Sequence, residues 1–330
     1  MAEYLFESAR VRVLENSIVG RERLEYLLQA KDLREAVARL GEMGIEPVTD
    51  ADGHFLREDT LLGVLHRAYG ELADLISQAP ELRLWLYQYD CNNVKAAIKG
   101  FARKIDPRSM MFDFGTLDVK QVIGMTESGK FDALPANMAK AAAEAVTAYA
   151  KNRNPQQIDL LLDKACFADM LAEAEKGKVP FAKNLVKEKI DLTNLLMTVR
   201  ILRRGGGKAD RDFLEAAMIA GGKMEASYFL SLYDMGEEKL WSKLYYSEYG
   251  RISKQLSDPS RTLTDIEREA DNFWMESIRQ ANLIPYGSEV LVAFLLAHEY
   301  EVRNLRILLA GKEAGLSNET IRERIRNSYV

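Results

Sequence analysis

The sequence predicts an all-α protein of three similar helical units, and three observations carry that reading. Only 8 prolines occur in 330 residues, Val-Ile-Thr alternation is scarce, and Ala, Leu, Glu, Lys and Met fill most segments. These last are residues that a helix favours. A short word, acid-x-x-Asn followed by an aliphatic residue, occurs three times: Asp90 to Val94, Asp191 to Leu195 and Glu301 to Leu305. Its separations, 191 − 90 = 101 and 301 − 191 = 110 residues, fit one domain-sized unit used repeatedly. The units expected are residues 1–110, 111–208 and 209–330.

Taken in order, residues 4–15 and 20–30 read as two helices broken near Gly20, and Leu33 to Met43 as a third. Asp52-Gly53 marks a turn over Asp50 to His54. Leu61, Leu62, Leu65, Ala68, Tyr69 and Leu72 then recur at helical spacing from about Thr60 to Ser77. Pro80 punctuates, and the first Asn helix runs to about Gly100. The second unit starts after Pro107 with a turn over Phe114 to Asp118 that leads into a short helix. Pro135 opens an Ala-rich helix, Ala139 to Lys151, and Asn154-Pro155 pairs an N-cap with proline at the first helical position. That helix ends near Gly177, Pro180 introduces the central Asn helix, and Gly205-Gly206-Gly207 stops it. In the third unit Gly222 to Glu225 repeats the pattern of Gly115 to Asp118. Helices around Trp241 and Trp274 follow, and Pro285-Tyr286-Gly287 precedes the last Asn helix. A fainter echo at the N-terminus puts Arg10 three residues after Glu7, with Gly20 to Leu24 behind it. It predicts units offset from the chain ends, the N-terminal helix lying beside the C-terminal one.

In a helix, an acid and an Asn three residues apart are neighbours on one face. Apolar residues share that face: Tyr89 and Ala96 in the first copy, Ile190 and Met197 in the second, Tyr300 and Ile307 in the third. An unbonded amide in such a seam costs on the order of 1–3 kcal/mol. The nearby carboxylate, or the backbone of a facing helix, is expected to satisfy each Asn, which then fixes helix register. Asp90, Asn93, Asp191, Asn194, Glu301 and Asn304 are therefore expected as structural repeat positions rather than general acids. Basic residues follow each word: Lys95 and Lys99, Arg200 and Arg203, then Arg306. Cations near helix C-termini complement the macrodipole by about 0.3–1 kcal/mol each. The alternative is that the helix ends present them to an acidic partner, which makes them the candidate contact residues.

Catalytic words are broken wherever they begin. Gly205 to Lys208 resembles a fragment of a phosphate loop, but Leu202 and Ala209 stand where Gly and Ser or Thr are required. His298-Glu299 opens like a zinc-protease helix, yet Val302 takes the second His position. His54 and His66 are isolated, and Cys91 and Cys166 form no CxxC, which favours reduced thiols over a disulfide. No cofactor and no metal are expected. A net charge of −5, from 45 Lys and Arg against 50 Asp and Glu, offers no field for nucleic acid. The start, Met1 to Arg10, lacks the basic and apolar regions of a signal peptide. The longest apolar run, Val290 to Ala297, is far below the roughly 20 residues that span a bilayer. Membrane association is expected only through a partner, from the cytoplasmic side.

Several words together carry a resemblance: Arg10 to Glu15, Leu86 to Ala97, Gln157 to Asp159, Ile190 to Leu195, and Glu301 to Ile307. In this order they resemble the C subunit of the bacterial and archaeal V-type (A-type) ATPase, the counterpart of the d subunit of the eukaryotic vacuolar ATPase. The resemblance covers the whole chain. Asn92 beside Asn93, the Gly-rich linker, and Leu196 in place of the basic residue found at Lys95 and Arg306 depart from the pattern. The resemblance implies an all-helical funnel with pseudo-threefold symmetry, resting on a membrane rotor ring and receiving the central stalk at its mouth. Such a rotor adaptor couples rotation to H+ or Na+ transport, hydrolyses no ATP itself and requires no homo-oligomer. The alternative reading is a helical-repeat scaffold recruiting cytosolic partners, which predicts an elongated particle and repeats of about 20–50 residues. A further alternative is an all-helical enzyme with a site no motif reveals.

Overall fold

The computed structural model describes residues 4–177, 179–205, 207–258 and 260–330. Met1 to Glu3, Gly206 of the glycine-rich stop, Lys178 and Pro259 lie outside the described residues. The chain is all-helical, and among the described residues the one β feature is an antiparallel bridge between Thr49 and Phe55. It closes the turn expected at Asp52-Gly53, where Gly53 adopts φ +83°.

In chain order the helices begin with α1 (Leu5–Leu14), α2 (Arg21–Leu28), α3 (Leu33–Glu42), α4 (Arg57–Gly70), α5 (Ala73–Ile76) and α6 (Pro80–Arg83). Next come α7 (Tyr87–Arg103), α8 (Val119–Ser128), α9 (Ala136–Asn152), α10 (Pro155–Ala174), α11 (Pro180–Arg204) and α12 (Lys208–Ala217). The last are α13 (Ala226–Met235), α14 (Glu237–Leu244), α15 (Gly250–Leu256), α16 (Leu263–Arg279), α17 (Ser288–Glu313) and α18 (Asn318–Arg322). Their starts follow local chemistry. Asp32, Asp118, Asn154, Thr262 and Ser317 each accept a backbone N–H in the first turn, and Asp118 and Thr262 complete capping boxes. Pro155 and Pro180 sit in the first turn of α10 and α11, where the missing N–H costs nothing.

α9 begins three residues before the expected Ala139, for a reason the local sequence does not carry. Asp169 of α10 accepts from the backbone N–H groups of Asn137 and Met138, at 3.0 and 2.7 Å, and so caps α9 from outside. The expected helix over Thr60 to Ser77 is two pieces, α4 and α5, parted after Gly70.

The chain divides into two compact units, Met1–Asp74 with Leu244–Val330, and Leu75–Lys243. In the first, α17 is the axis. It packs against α1, α2, α3, α4, α16 and α18, and every residue from Val290 to Ala297 is buried. That apolar run is hydrophobic all round because helices surround it. The N-terminal helix does lie against the last Asn helix, as the fainter echo predicted. Lys312 of α17 donates to the carbonyls of Leu28 and Ala30 at the C-terminal end of α2, and to Asn318 Oδ1 at 2.7 Å. In the second unit α10 packs against α7, α9 and α11, and α11 packs against α12 and α13. The buried face of α9, Met138, Ala141, Ala142 and Ala145, is mostly methyl groups, which lets two helices approach closely.

Candidate functional site

All six acid and Asn positions are buried, none more than 4% exposed, and each pair grips main chain. Asn93 on α7 donates Nδ2 to the Phe112 carbonyl and accepts the Phe112 N–H on Oδ1, both at 2.8 Å. Asn194 on α11 does the same with Ile219, at 2.8 and 2.9 Å. Asn304 on α17 does it with Arg326, at 3.0 and 2.9 Å. A planar carboxamide offers one donor and one acceptor side by side, which match the two polar groups of a single residue. The partner differs from the one expected: neither the neighbouring acid nor a facing helix, but a non-helical segment lying past the next helical turn or helix, after Pro107–Met110, α12 and α18 respectively. That segment has no intrahelical partners, so its polar groups are free to be taken.

Each acid holds the segment leading into a further helix. Asp90 Oδ1 accepts from the Thr116 and Leu117 N–H groups at 2.9 and 3.2 Å, and Oδ2 accepts from Thr116 Oγ1 at 2.6 Å. Asp191 Oδ2 accepts from the Lys223 and Met224 N–H groups at 3.0 and 3.1 Å. Glu301 Oε1 accepts from the Val19 N–H at 2.9 Å, while Oε2 meets His298 Nδ1 at 2.5 Å. The segments gripped precede α8, α13 and α2 respectively. Four residues after the Asn-held residue come Thr116 and Lys223 in the first two cases (112 + 4 and 219 + 4), both gripped by the acid. In the third, 326 + 4 gives Val330, and the gripped amide is Val19 instead.

Glycine makes the close approach possible. At Gly115, φ +145°, a Cβ would stand 2.4 Å from Asp90 Oδ1, and at Gly222 it would stand 1.9 Å from Asp191 Oδ1. Gly20 is not their counterpart, since it caps α2 and faces Val330, and the longer Glu301 side chain reaches Val19 directly. Nor does Arg10 of the fainter echo grip a return segment; it pairs with Glu71. Burial pushes the Asp90 carboxyl up to about 6, against the three hydrogen bonds that favour its charged form.

The residue three before each acid varies: Tyr87, Glu188 and His298. Glu188 receives Lys223 Nζ at 2.7 Å, and His298 is buried against Phe294, their rings 4.7 Å apart. Sequence reasoning missed both, and missed the link between glycine and acid. The signal was present as a glycine 25 residues after Asp90 (115 − 90) and 31 after Asp191 (222 − 191).

Lys95, Lys99, Arg203 and Arg306 meet carboxylates of their own chain. Lys95 and Lys99 on α7 pair with Asp163 and Asp159 on α10, the second at 2.5 Å. Arg203 pairs with Glu237 at 2.5 Å, and Arg306 Nε with Glu58 at 2.9 Å. Pairs this exposed contribute about 0–1 kcal/mol each. Arg200 on α11 is exposed. Cys91 and Cys166 are both free and buried, facing carbonyls of each other's helix, Leu162 and Tyr87.

Comparison with known proteins adds a second line of observation. Residues 8–324 match the family described as ATP synthase (C/AC39) subunit. The C subunit of the A-type ATP synthase of Haloferax volcanii is 27% identical over 271 residues, which span 78% of this chain and 75% of that one. The C subunit of the V-type sodium ATPase of Enterococcus hirae is 28% identical over 178 residues, 53% of this chain and 52% of its own. The corresponding A-type ATP synthase C subunit of Methanosarcina mazei aligns over 98% of this chain and 93% of its own at 22% identity.

Proposed function

The chain belongs to the ATP synthase (C/AC39) subunit family, and on that premise we propose that it is the non-catalytic rotor adaptor of an A/V-type ATPase. In this reading it links the central stalk to the membrane rotor ring and carries torque between them, coupling ATP hydrolysis or synthesis to movement of H+ or Na+. The three Asn helices belong to three repeats, residues 1–110, 111–208 and 209–330, set as a funnel with pseudo-threefold symmetry. Among the described residues no helix is long and apolar enough to cross a membrane; in this reading the ring is met from its cytoplasmic side. Lys95, Lys99, Arg200, Arg203 and Arg306 remain the candidate contacts with acidic partners.

The observation that supports this best is the clamp itself, built three times at one helical register. A part that transmits torque must not shear, and shear between helices is resisted by dense packing and by bonds that exist in one register only. Each clamp ties a long helix to two other segments through main-chain groups, and main-chain groups cannot swing away on a rotamer.

The test is a reconstituted complex carrying Asn194→Ala. Assembly is expected to persist while ATP hydrolysis proceeds with less ion transport per turnover. An assembled complex with unchanged coupling would refute the torque reading. Capture of the native protein from detergent-solubilised membranes should also bring down a rotor ring and a coiled-coil stalk; their joint absence would refute the adaptor reading.

A further inference from the structure

A cleft of about 500 Å³ lies in the unit formed by the two ends of the chain, lined by Arg21, Arg279, Arg322 and Arg326 with Glu25 as its one acidic side chain. Four cationic side chains against one anionic depart sharply from a chain whose net charge is −5. Two of the four are neutralised. Arg322 meets Glu25 at 2.9 Å and Glu319 at 3.0 Å, and Arg326 meets Asp271 at 3.1 Å. The other two have no ion pair among the described residues. Arg279 donates only to main-chain carbonyls, those of Tyr329 and Ser328, and has no carboxylate partner among the described residues. Arg21 is exposed at the start of α2; it makes no hydrogen bond or ion pair among the described residues, though its charge, after that of Arg322, helps to hold the Glu25 carboxyl below its usual value. The N-cap beside it, Gly20, supplies no side-chain cap to α2, whose dipole is positive at this end; the backbone oxygen of Val330, also in the lining, lies against Gly20.

We propose that this cleft binds a phosphate-type oxyanion, gripped by Arg21 and Arg279 and flanked by Arg322 and Arg326. A guanidinium fork matches two oxygens of such an anion, and several forks together suit a multivalent one. The volume lies in the range of small-ligand pockets, larger than a lone carboxylate fills. Burial lowers the Arg279 pKa from its usual value, the direction expected of a desolvated cation that lacks a counter-ion. This inference is independent of the rotor reading.

The test is calorimetric titration of the purified full chain with pyrophosphate in chloride buffer. Saturable binding is expected, with Arg21→Gln and Arg279→Gln each weakening it about tenfold, as loss of a charged hydrogen-bond donor implies. Arg21 makes no internal bond, so Arg21→Gln decides the matter should Arg279→Gln fail to fold. Arg324→Gln removes the same charge from the same segment outside the cleft lining, and should bind as the parent does. No binding by the parent, or equal weakening by Arg324→Gln and Arg21→Gln, would overturn the proposal. Vesicles of phosphatidylcholine with and without phosphatidic acid separate the sources of phosphate. Retention on the acidic vesicles that pyrophosphate reverses assigns the site to a lipid headgroup. Pyrophosphate binding without retention assigns it to a soluble phosphate compound.

Discussion

Replacing Asn194 by Ala tests the clamp where water is least able to repair it. The Asn194 amide serves both polar groups of Ile219, a residue only 5% exposed, and Asn194 itself is 1% exposed. Truncation leaves one N–H and one C=O buried without partners, at about 1–3 kcal/mol each, so roughly 2–6 kcal/mol in all. Water entering the space left behind would bring the figure toward the lower end. Phe112, gripped by Asn93, is 36% exposed, so solvent replaces the lost bonds and Asn93→Ala should cost only about 1–2 kcal/mol. Asn194→Asp keeps the acceptor for the Ile219 N–H but turns an oxygen toward its carbonyl, and should cost at least as much as Ala. Urea unfolding followed by circular dichroism measures the order. Hydrogen exchange across residues 218–225 localises it, with faster exchange expected in Asn194→Ala. A cost for Asn194→Ala below about 0.5 kcal/mol, or one smaller than that of Asn93→Ala, would show that the clamps do not hold the return segments.

Asp90 should give the fold a recognisable pH response. Its carboxyl titrates near 3.8 when unfolded and at about 6 when folded, so the folded state binds the proton more tightly. The stability this group contributes is fully present below about pH 4 and is lost as pH rises through 6, a span worth roughly 3 kcal/mol. Asp90→Asn keeps acceptors for the Thr116 and Leu117 N–H groups and carries no charge, so its melting temperature at pH 7.5 should equal or exceed the parent's. That advantage should shrink to about a third at pH 4.5; the same difference at both pH values would refute the assignment. Gly222→Ala should drive a methyl into Asp191 Oδ1, 1.9 Å away, and cost about 1–3 kcal/mol in overpacking before the lost amide bonds are counted. Gly41→Ala in α3 meets nothing within 4 Å and should be neutral or stabilising by up to about 1 kcal/mol. Thermal melts of the two variants that shift alike would count against the close-approach argument.

The parts of this fold that announce themselves in sequence are those whose side chains act within their own helix. Asn154-Pro155, the stop after Arg204 and the acid-x-x-Asn word are legible because cap, breaker and face are local properties. What each Asn would hold was not legible. Phe112, Ile219 and Arg326 share no chemistry, because the groups gripped are their N–H and C=O, which every such residue carries. The start of α9 was hidden for the same reason, its cap being Asp169 on another helix. The basic residues after each Asn looked like helix-end charges. Their carboxylates lie 34 to 248 residues away in sequence, beyond the reach of any spacing rule. Asp90, Asp191 and Glu301 could be placed on a helix face, but only the glycines explain how a carboxylate comes so close to backbone.

The bond from the Val19 N–H to Glu301 spans 282 residues, as does the one from Lys312 to Ala30. A ribosome must therefore reach α17 before α2 can meet that helix. The residues of the unit Leu75–Lys243 are all synthesised while α1 to α4 still lack their axis. Nascent α1 to α4 thus go without the surface that later shields them until a helix that starts 218 residues after α4 ends (288 − 70) has been made.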